Sequence, residues 1–438
     1  MEFVADAAPG PLSGGVTVPG DKSLSHRGVL FAAMSEGTSR ITGVLDSEDV
    51  RASISAVRAL GAEVDVGRES DGSLSVTVAG WGARGPTSPG EPVECGNSGT
   101  TARLLLGILA GWEIEATLTG DASLSRRPMN RVIGPLSTMG AHFVSHDGRL
   151  PVTVKGGGLA PIAYDSPVAS AQVKTAVLLA GLRADGRTSV SEPAPSRDHT
   201  ERLLPAFGVA VGCDRPARTA WVDGPAVPVA ADFEVPGDPS SAAFIAAAAL
   251  LVPGSRVALP GVALNPTRTG FLRVLERMGA RIEAQEGRPA GSEPVGTVQV
   301  AHTPSLHGTT VAAEEIPSLV DEVPVLALVA TQASGTTRFC GVGELRVKES
   351  DRLGAMVEGL GALGARVDVD GDDLLVRGPG RLTGARLDSR GDHRLAMVWA
   401  LAGLAAGSAV TVEGFEAVNV SYPGFAGDVS RLGAGWTG

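Results

Sequence analysis

Lysine is nearly absent from this chain, so the few that remain are informative. Of 37 basic residues, only Lys22, Lys155, Lys174 and Lys348 are lysine. On a solvated surface arginine serves equally well. A retained lysine points to a place where a compact ammonium with a tunable pKa does what a rigid, permanently charged guanidinium cannot. Three of the four lie in short polar motifs: Asp21-Lys22-Ser23-Leu24-Ser25-His26-Arg27, Ser170-Ala171-Gln172-Val173-Lys174 and Val347-Lys348-Glu349-Ser350-Asp351-Arg352. Each sets cations and hydroxyls, or cations and acids, against the start of an apolar run. Such a set suits the binding of anions and the movement of protons.

Other motifs carry the same chemistry. Glu94-Cys95-Gly96-Asn97-Ser98-Gly99-Thr100-Thr101-Ala102-Arg103 is a glycine-rich turn feeding a helix, in which Gly99 lets backbone approach a ligand closely. Arg126-Arg127-Pro128 offers adjacent guanidiniums, and Arg127 could grip a carboxylate or phosphate with two bonds. Ser196-Arg197-Asp198-His199-Thr200-Glu201 places hydroxyl and base before a helix start. Asp321-Glu322 and Asp392-His393-Arg394 add acids and a further arginine. Taken singly, each reads equally well as a helix cap, an ordinary turn or a solvated ion pair. The segment around Lys22 is not a P-loop, because Asp21 intervenes between Gly20 and Lys22. His142 and His146 fall in a strand-like stretch, and the remaining candidate histidines have basic neighbours. No metal site and no cofactor motif is expected.

The elements that must position these residues repeat. An apolar helix, a Gly-containing turn and a β-branched strand recur six times, beginning at Gly28, Leu104, Ala176, Ala242, Val325 and Leu395. The spacing is roughly 70 to 80 residues. Most copies continue into a helix ending in Gly-Ala and an alternating strand, as in Leu60-Gly61-Ala62-Glu63-Val64-Asp65-Val66. The sixth copy ends before its final strands. Gly15-Val16-Thr17-Val18-Pro19 is a spare strand expected to complete it. The chain is therefore expected to form an α/β protein of two lobes with three units each. The first lobe spans 22–236 and the second 1–21 plus 237–438, with a hinge near 20–22 and 236–239. Ammonium and guanidinium groups from both lobes should meet in a shared crevice.

Composition narrows the function. The 438 residues exceed one ordinary core, and 43% hydrophobic with 19% charged residues describes a globular protein. A net charge of -11 opposes a broad nucleic-acid or anionic-membrane surface. Three cysteines, Cys95, Cys213 and Cys340, show no CxxC spacing and are expected to be reduced thiols. No basic-then-apolar leader precedes the first motif, so a cytoplasmic location and no membrane partner are expected.

Together the motifs resemble the 5-enolpyruvylshikimate-3-phosphate synthases, a family of enolpyruvyltransferases. Gly96-Asn97-Ser98-Gly99-Thr100, Arg127-Pro128-Met129, Asp238-Pro239-Ser240-Ser241-Ala242 and Asn265-Pro266-Thr267-Arg268 join the motifs above in family order. The resemblance implies a two-lobed inverse α/β barrel of six βαβαββ-like units. It implies transfer of the enolpyruvyl group of phosphoenolpyruvate to the 5-hydroxyl of shikimate 3-phosphate, with release of phosphate and no cofactor or metal. It assigns Lys22, Ser23, Arg27, Ser170, Ala171, Gln172, Ser196, Arg197, Asp321 and Lys348 to shikimate 3-phosphate. It assigns Lys22, Gly99, Arg127, Gln172, Arg352 and Arg394 to phosphoenolpyruvate. Asp321, Glu349 and Lys22 are its catalytic residues, and a monomer is expected.

The chain departs from many members in places. Val420 stands where a lysine often precedes the C-terminal proline motif, Ala171 where some have serine, and Glu344 where some have asparagine. These features resemble a second subgroup, associated with tolerance to the inhibitor glyphosate, sometimes through alanine at the Gly99 position. The rival readings are a related enolpyruvyltransferase acting on another acceptor, such as a nucleotide sugar, and a non-catalytic repeat scaffold.

Overall fold

The computed structural model describes residues 1–436, so the last two residues of the expected second lobe, 437 and 438, lie outside it. Two compact units result. The first comprises Gly20–Val235 with the short segment Ala290–Glu293; the second comprises Met1–Pro19, Pro236–Pro289 and the described residues from Pro294 onward. Each has its own buried hydrophobic core.

Within each unit the same motif is built three times. In one copy the edge strand Val93–Glu94 runs parallel to Glu115–Thr119, which pairs antiparallel with Arg149–Lys155. That strand in turn pairs antiparallel with His142–His146. The next copy repeats this order with Ala163–Asp165, Gly186–Ser191, Thr219–Gly224 and Val211–Asp214. The first copy takes its edge strand, Phe233–Glu234, from the far end of the unit, parallel to Thr38–Val44. The chain thus closes the unit on itself with its own last strand. Among the described residues, five sheets have four strands and one has three.

The N-terminal strand is seated differently from the expectation. Ser13–Gly15 runs parallel to Arg256–Ala263 and completes the fourth copy. The sixth copy, Arg386–Asp388 beside Val410–Glu413, is completed by Glu2–Ala5, which pairs antiparallel. Its alternation buries Phe3 and Ala5 and leaves Glu2 and Val4 exposed, as a strand with one covered face requires. Edge seats in the repeats accept nearly the same short extended segment, so local sequence does not distinguish them.

One long helix per repeat runs through the interior. In the first unit these are Lys22–Met34, Gly99–Ala110 and Ala171–Gly181; in the second, Pro239–Leu251, Val323–Ala330 and His393–Ala405. All 13 residues of Pro239–Leu251 are buried, which explains an alanine-rich helix with no polar face. Small residues permit close approach. A Cβ on Gly107 would lie 2.3 Å from the Ala176 carbonyl oxygen. Five of the six start at a short polar cap: Asp21, Ser98, Ser170, Asp238 and Asp392 each accept a hydrogen bond from a backbone N–H of the first turn. The candidate site residues cluster at these starts and at those of the second helices. Among the described residues, no helix is long and apolar enough to cross a membrane.

Candidate active site

The first unit gathers its candidates at the starts of its interior helices. Lys22 opens Lys22–Met34 and pairs with Asp49, the second residue of Glu48–Ala59. Arg27 lies one turn further along and is 3% exposed. Its guanidinium donates to Thr200 Oγ1 at 2.9 Å, Thr175 Oγ1 at 3.0 Å and the Ser23 carbonyl at 3.2 Å. Burial pulls the Arg27 pKa down to about 10, against the nearby Glu201 and Asp21 and with the opposing charge of Arg197. Arg27 and Arg197 therefore share one neighbourhood, Arg197 being half-buried ahead of the helix His199–Leu203. Beside them a chain of short polar contacts runs from His26 Nδ1 to Ser53, Thr101 and Ser98. It locks the first turn of Gly99–Ala110.

Gly99, Arg127 and Gln172 meet around Arg103, an arginine with no role assigned from the sequence. Arg103 donates to Gln172 Oε1 at 2.8 Å and to the Pro128 carbonyl at 3.1 Å. A Cβ on Gly99 would lie 2.7 Å from Arg103 Nη1 and 3.6 Å from Arg127 Nη1. Gln172 also donates to Thr100 Oγ1 at 3.0 Å. The structure distinguishes the adjacent arginines. Arg126 is exposed, whereas Arg127 is half-buried and bonds the Asn97 side chain, the Asn97 carbonyl and Ser123 Oγ.

Ser170 and Ser196 are joined through Glu192, another residue with no sequence signal. Glu192 accepts from the Ser170 backbone N–H at 2.9 Å and from Ser196 Oγ at 2.8 Å. It also binds Lys174 Nζ at 2.8 Å, and Glu201 binds the same ammonium at 2.8 Å. Burial lowers the Lys174 pKa, but the two carboxylates outweigh it and the net shift is upward. Lys174 is thus a fixed cation beneath the Ser170-Ala171-Gln172 turn. Lys155, the lysine outside any motif, is exposed on its strand.

The second unit gathers the acids. Arg352 is fully buried and reaches three carboxylates: Asp392 Oδ2 at 2.8 Å, Glu349 Oε2 at 2.5 Å and Asp321 Oδ1 at 3.1 Å. Burial would lower its pKa, but Asp392, Glu349 and Asp321 together raise it well above the usual guanidinium value. Asp392 is also buried. Burial pushes its carboxyl up, Arg352 pulls it further down, and the result is a depressed pKa. Arg394 donates to the Asp321 carbonyl at 3.1 Å and lies 3.7 Å from its carboxylate. Lys348 lies 3.3 Å from Glu344 and 3.9 Å from Asp321. Asp321 is therefore flanked by Lys348, Arg352 and Arg394. Behind Arg394, Ser240 donates to the buried Glu322, and Arg268 binds Asp238 and Ser240 at 3.0 Å each. Val420 ends the turn Phe415–Val420 half-buried.

The family model described as EPSP synthase (3-phosphoshikimate 1-carboxyvinyltransferase) matches residues 7–429. The chain belongs to the EPSP synthase family. A 3-phosphoshikimate 1-carboxyvinyltransferase of Acidiphilium cryptum is 48% identical over 428 residues, covering 97% of this chain and 95% of that protein. An EPSP synthase structure from Acinetobacter baumannii superposes with a TM-score of 0.88 at 40% identity, covering 99% of this chain and 98% of that one. The enolpyruvyl transferase NikO of Streptomyces tendae shares the fold at a TM-score of 0.78 but only 21% identity, over 100% and 98% of the two chains. The architecture is accordingly the enolpyruvyltransferase fold, an inverse α/β barrel with three repeats in each unit. Among the described residues of this family member, no group of three or more His, Cys, Asp or Glu side chains is placed to hold a metal ion.

Proposed function

We propose that this chain transfers the enolpyruvyl group of phosphoenolpyruvate to the 5-hydroxyl of shikimate 3-phosphate and releases phosphate. The observation that carries the reading is the Arg352 cluster. A buried guanidinium organises Asp321 and Glu349, the two acids that the family motif assigns to proton transfer, at 3.1 and 2.5 Å. In this reading Asp321 takes the proton of the 5-hydroxyl. Glu349, helped by Lys22, delivers a proton to the methylene of phosphoenolpyruvate. The adjacent carbon becomes electrophilic, the hydroxyl oxygen bonds to it, and a tetrahedral intermediate forms. Glu349 then takes back a methyl proton, the carbon–oxygen bond to phosphate breaks with its electron pair leaving on phosphate, and the double bond is restored.

Both substrates are polyanions, so the binding set must offset their repulsion. Lys22, Ser23, Arg27, Ser170, Ala171, Gln172, Ser196, Arg197, Asp321 and Lys348 hold shikimate 3-phosphate. Lys22, Gly99, Arg127, Gln172, Arg352 and Arg394 surround phosphoenolpyruvate. The arginines bind in forks but do not trade protons, which leaves that task to the carboxylates and Lys22. Catalysis requires both residue sets on the same pair of molecules. We assign the hinge that brings them together to the chain near 20–22 and 236–239.

The related enolpyruvyltransferases that act on nucleotide sugars often use a loop cysteine near the phosphoenolpyruvate site, and Cys95 does not suit that role. Cys95 is buried, and burial pushes its thiol up to about 12, which suits a core residue rather than a nucleophile. Phosphate release from phosphoenolpyruvate, measured with and without shikimate 3-phosphate, tests the proposal. Release that depends on shikimate 3-phosphate supports it. Release only with a nucleotide sugar, or no release, overturns it.

A further inference from the structure

Four residues of the first unit come from within the second unit's sequence. The hairpin between the strands Arg281–Glu286 and Val295–Ala301 sends out Ala290-Gly291-Ser292-Glu293, while the flanking Pro289 and Pro294 stay with the second unit. The segment is a closed turn. Ala290 N–H donates to the Glu293 carbonyl at 3.1 Å, and Glu293 N–H donates to the Ala290 carbonyl at 3.0 Å. Gly291 supplies the positive φ of +56° that this turn needs. The tip presents Glu293, 1% exposed, to His199, 0% exposed, with Oε1 and Nδ1 2.7 Å apart. The Ser292 carbonyl accepts from Arg202 at 3.2 Å. The tip therefore grips both ends of the helix His199–Leu203, which directly follows Ser196, Arg197 and Asp198.

Burying an imidazole–carboxylate pair is costly unless something is gained in specificity or charge balance. The neighbourhood suggests what is gained. Glu293 is one of the negative charges that support the buried Arg27 against the positive charge of Arg197, and it also supports Arg202. Arg27 and Arg197 repel each other, yet the function proposed above assigns both to shikimate 3-phosphate, with Arg197 at its phosphate. We propose that Glu293 is a positioning residue for the phosphate end of the shikimate 3-phosphate site. It holds the Ser196–Asp198 turn through His199 and offsets the crowding of Arg27, Arg197 and Arg202. This rests on the function proposed above. Glu293 touches no substrate in this scheme.

The test compares the wild-type enzyme with Glu293→Gln, a change that keeps shape and removes charge. KM for shikimate 3-phosphate should rise about tenfold, while KM for phosphoenolpyruvate and kcat change less than about threefold. Calorimetric binding of shikimate, which lacks the phosphate, should be unchanged, a selectivity that a merely structural role would not produce. If Glu293→Gln does not fold, Glu293→Asp keeps the charge, shortens the reach and should show the same selective loss. Equal weakening of shikimate and shikimate 3-phosphate, or no weakening of either, overturns the inference. A wild-type enzyme with no shikimate 3-phosphate turnover would instead overturn the assigned reaction.

Discussion

Replacing Arg352 with lysine keeps one positive charge at the centre of the acid cluster and removes the fork. Arg352 makes four hydrogen bonds: two to Asp392, at 2.8 and 3.3 Å, one to Asp321 at 3.1 Å and one to Glu349 at 2.5 Å. These diverge from a planar group, so a single ammonium on a flexible stem cannot reach all three carboxylates. Asp392 is the most buried of the three, and the ammonium is expected to stay with it. The bonds to Asp321 and Glu349 would then be lost. Each charge-assisted bond contributes about 1.5–3 kcal/mol. The side chain is fully buried, so solvent does not screen that contribution. Two lost bonds amount to about 3–6 kcal/mol, or roughly 100- to 10,000-fold in kcat/KM at about 1.4 kcal/mol per decade. Steady-state phosphate release with each substrate varied in turn gives the ratio. Thermal unfolding of the same variant separates lost catalysis from lost fold. A folded Arg352→Lys enzyme with kcat/KM within tenfold of wild type would show that Asp321 and Glu349 do not depend on the fork.

Gly99→Ala places a methyl 2.7 Å from Arg103 Nη1, so Arg103 must shift and its bond to Gln172 loosens. Glyphosate is expected to weaken more than phosphoenolpyruvate in inhibition kinetics, and equal loss for both would contradict the steric account. His26 gives the chain an acid sensitivity of its own. Burial lowers its pKa from 6.5 to about 3, and its Nε2 has no partner, so the folded state holds it neutral while the unfolded state protonates. Its contribution is therefore present above pH 6.5 and is lost as pH falls toward 3. Chemical denaturation of wild type should lose about 2–3 kcal/mol more than His26→Gln between about pH 7 and pH 4.5; parallel losses in the two proteins would refute the assignment.

The sequence showed the parts of the fold that depend on local chemistry. The six-fold recurrence of apolar helix, glycine turn and strand was visible because each repeat buries the same kind of helix. Ser170 was legible as a cap because a short polar side chain before an apolar run has few other uses, and the structure gives Asp21, Ser98 and Asp392 the same role. Seating the N-terminal strands was beyond local reading. Ser13–Gly15 and Glu2–Ala5 are chosen by which sheet edge is vacant, a tertiary property. The site divides the same way. The cations assigned to the substrates were singled out because they stand at helix starts beside glycine, serine and aspartate.

The groups that hold those cations were not legible, and the reason is physical. Glu192 and Lys174 are 18 positions apart, Arg352 and Asp392 are 40 apart, and His199 and Glu293 are 94 apart. Viewed alone, each acid resembles one of the many solvated carboxylates of an acidic chain. Arg103 was missed for the opposite reason, since it sits inside Gly99-Thr100-Thr101-Ala102-Arg103-Leu104-Leu105-Leu106 and reads as an interruption of an apolar helix. A site for two polyanions needs many cations, and cations crowded without substrate repel one another. The fold therefore has to supply internal anions that hold the cations apart until the ligands arrive. Asp49, Glu192, Glu201, Glu293 and Asp392 fill that role, and all five lie at least 18 residues from the cation they balance. The cations follow from what the substrate demands and so appear as motifs; their counter-charges follow from packing, and only coordinates reveal them.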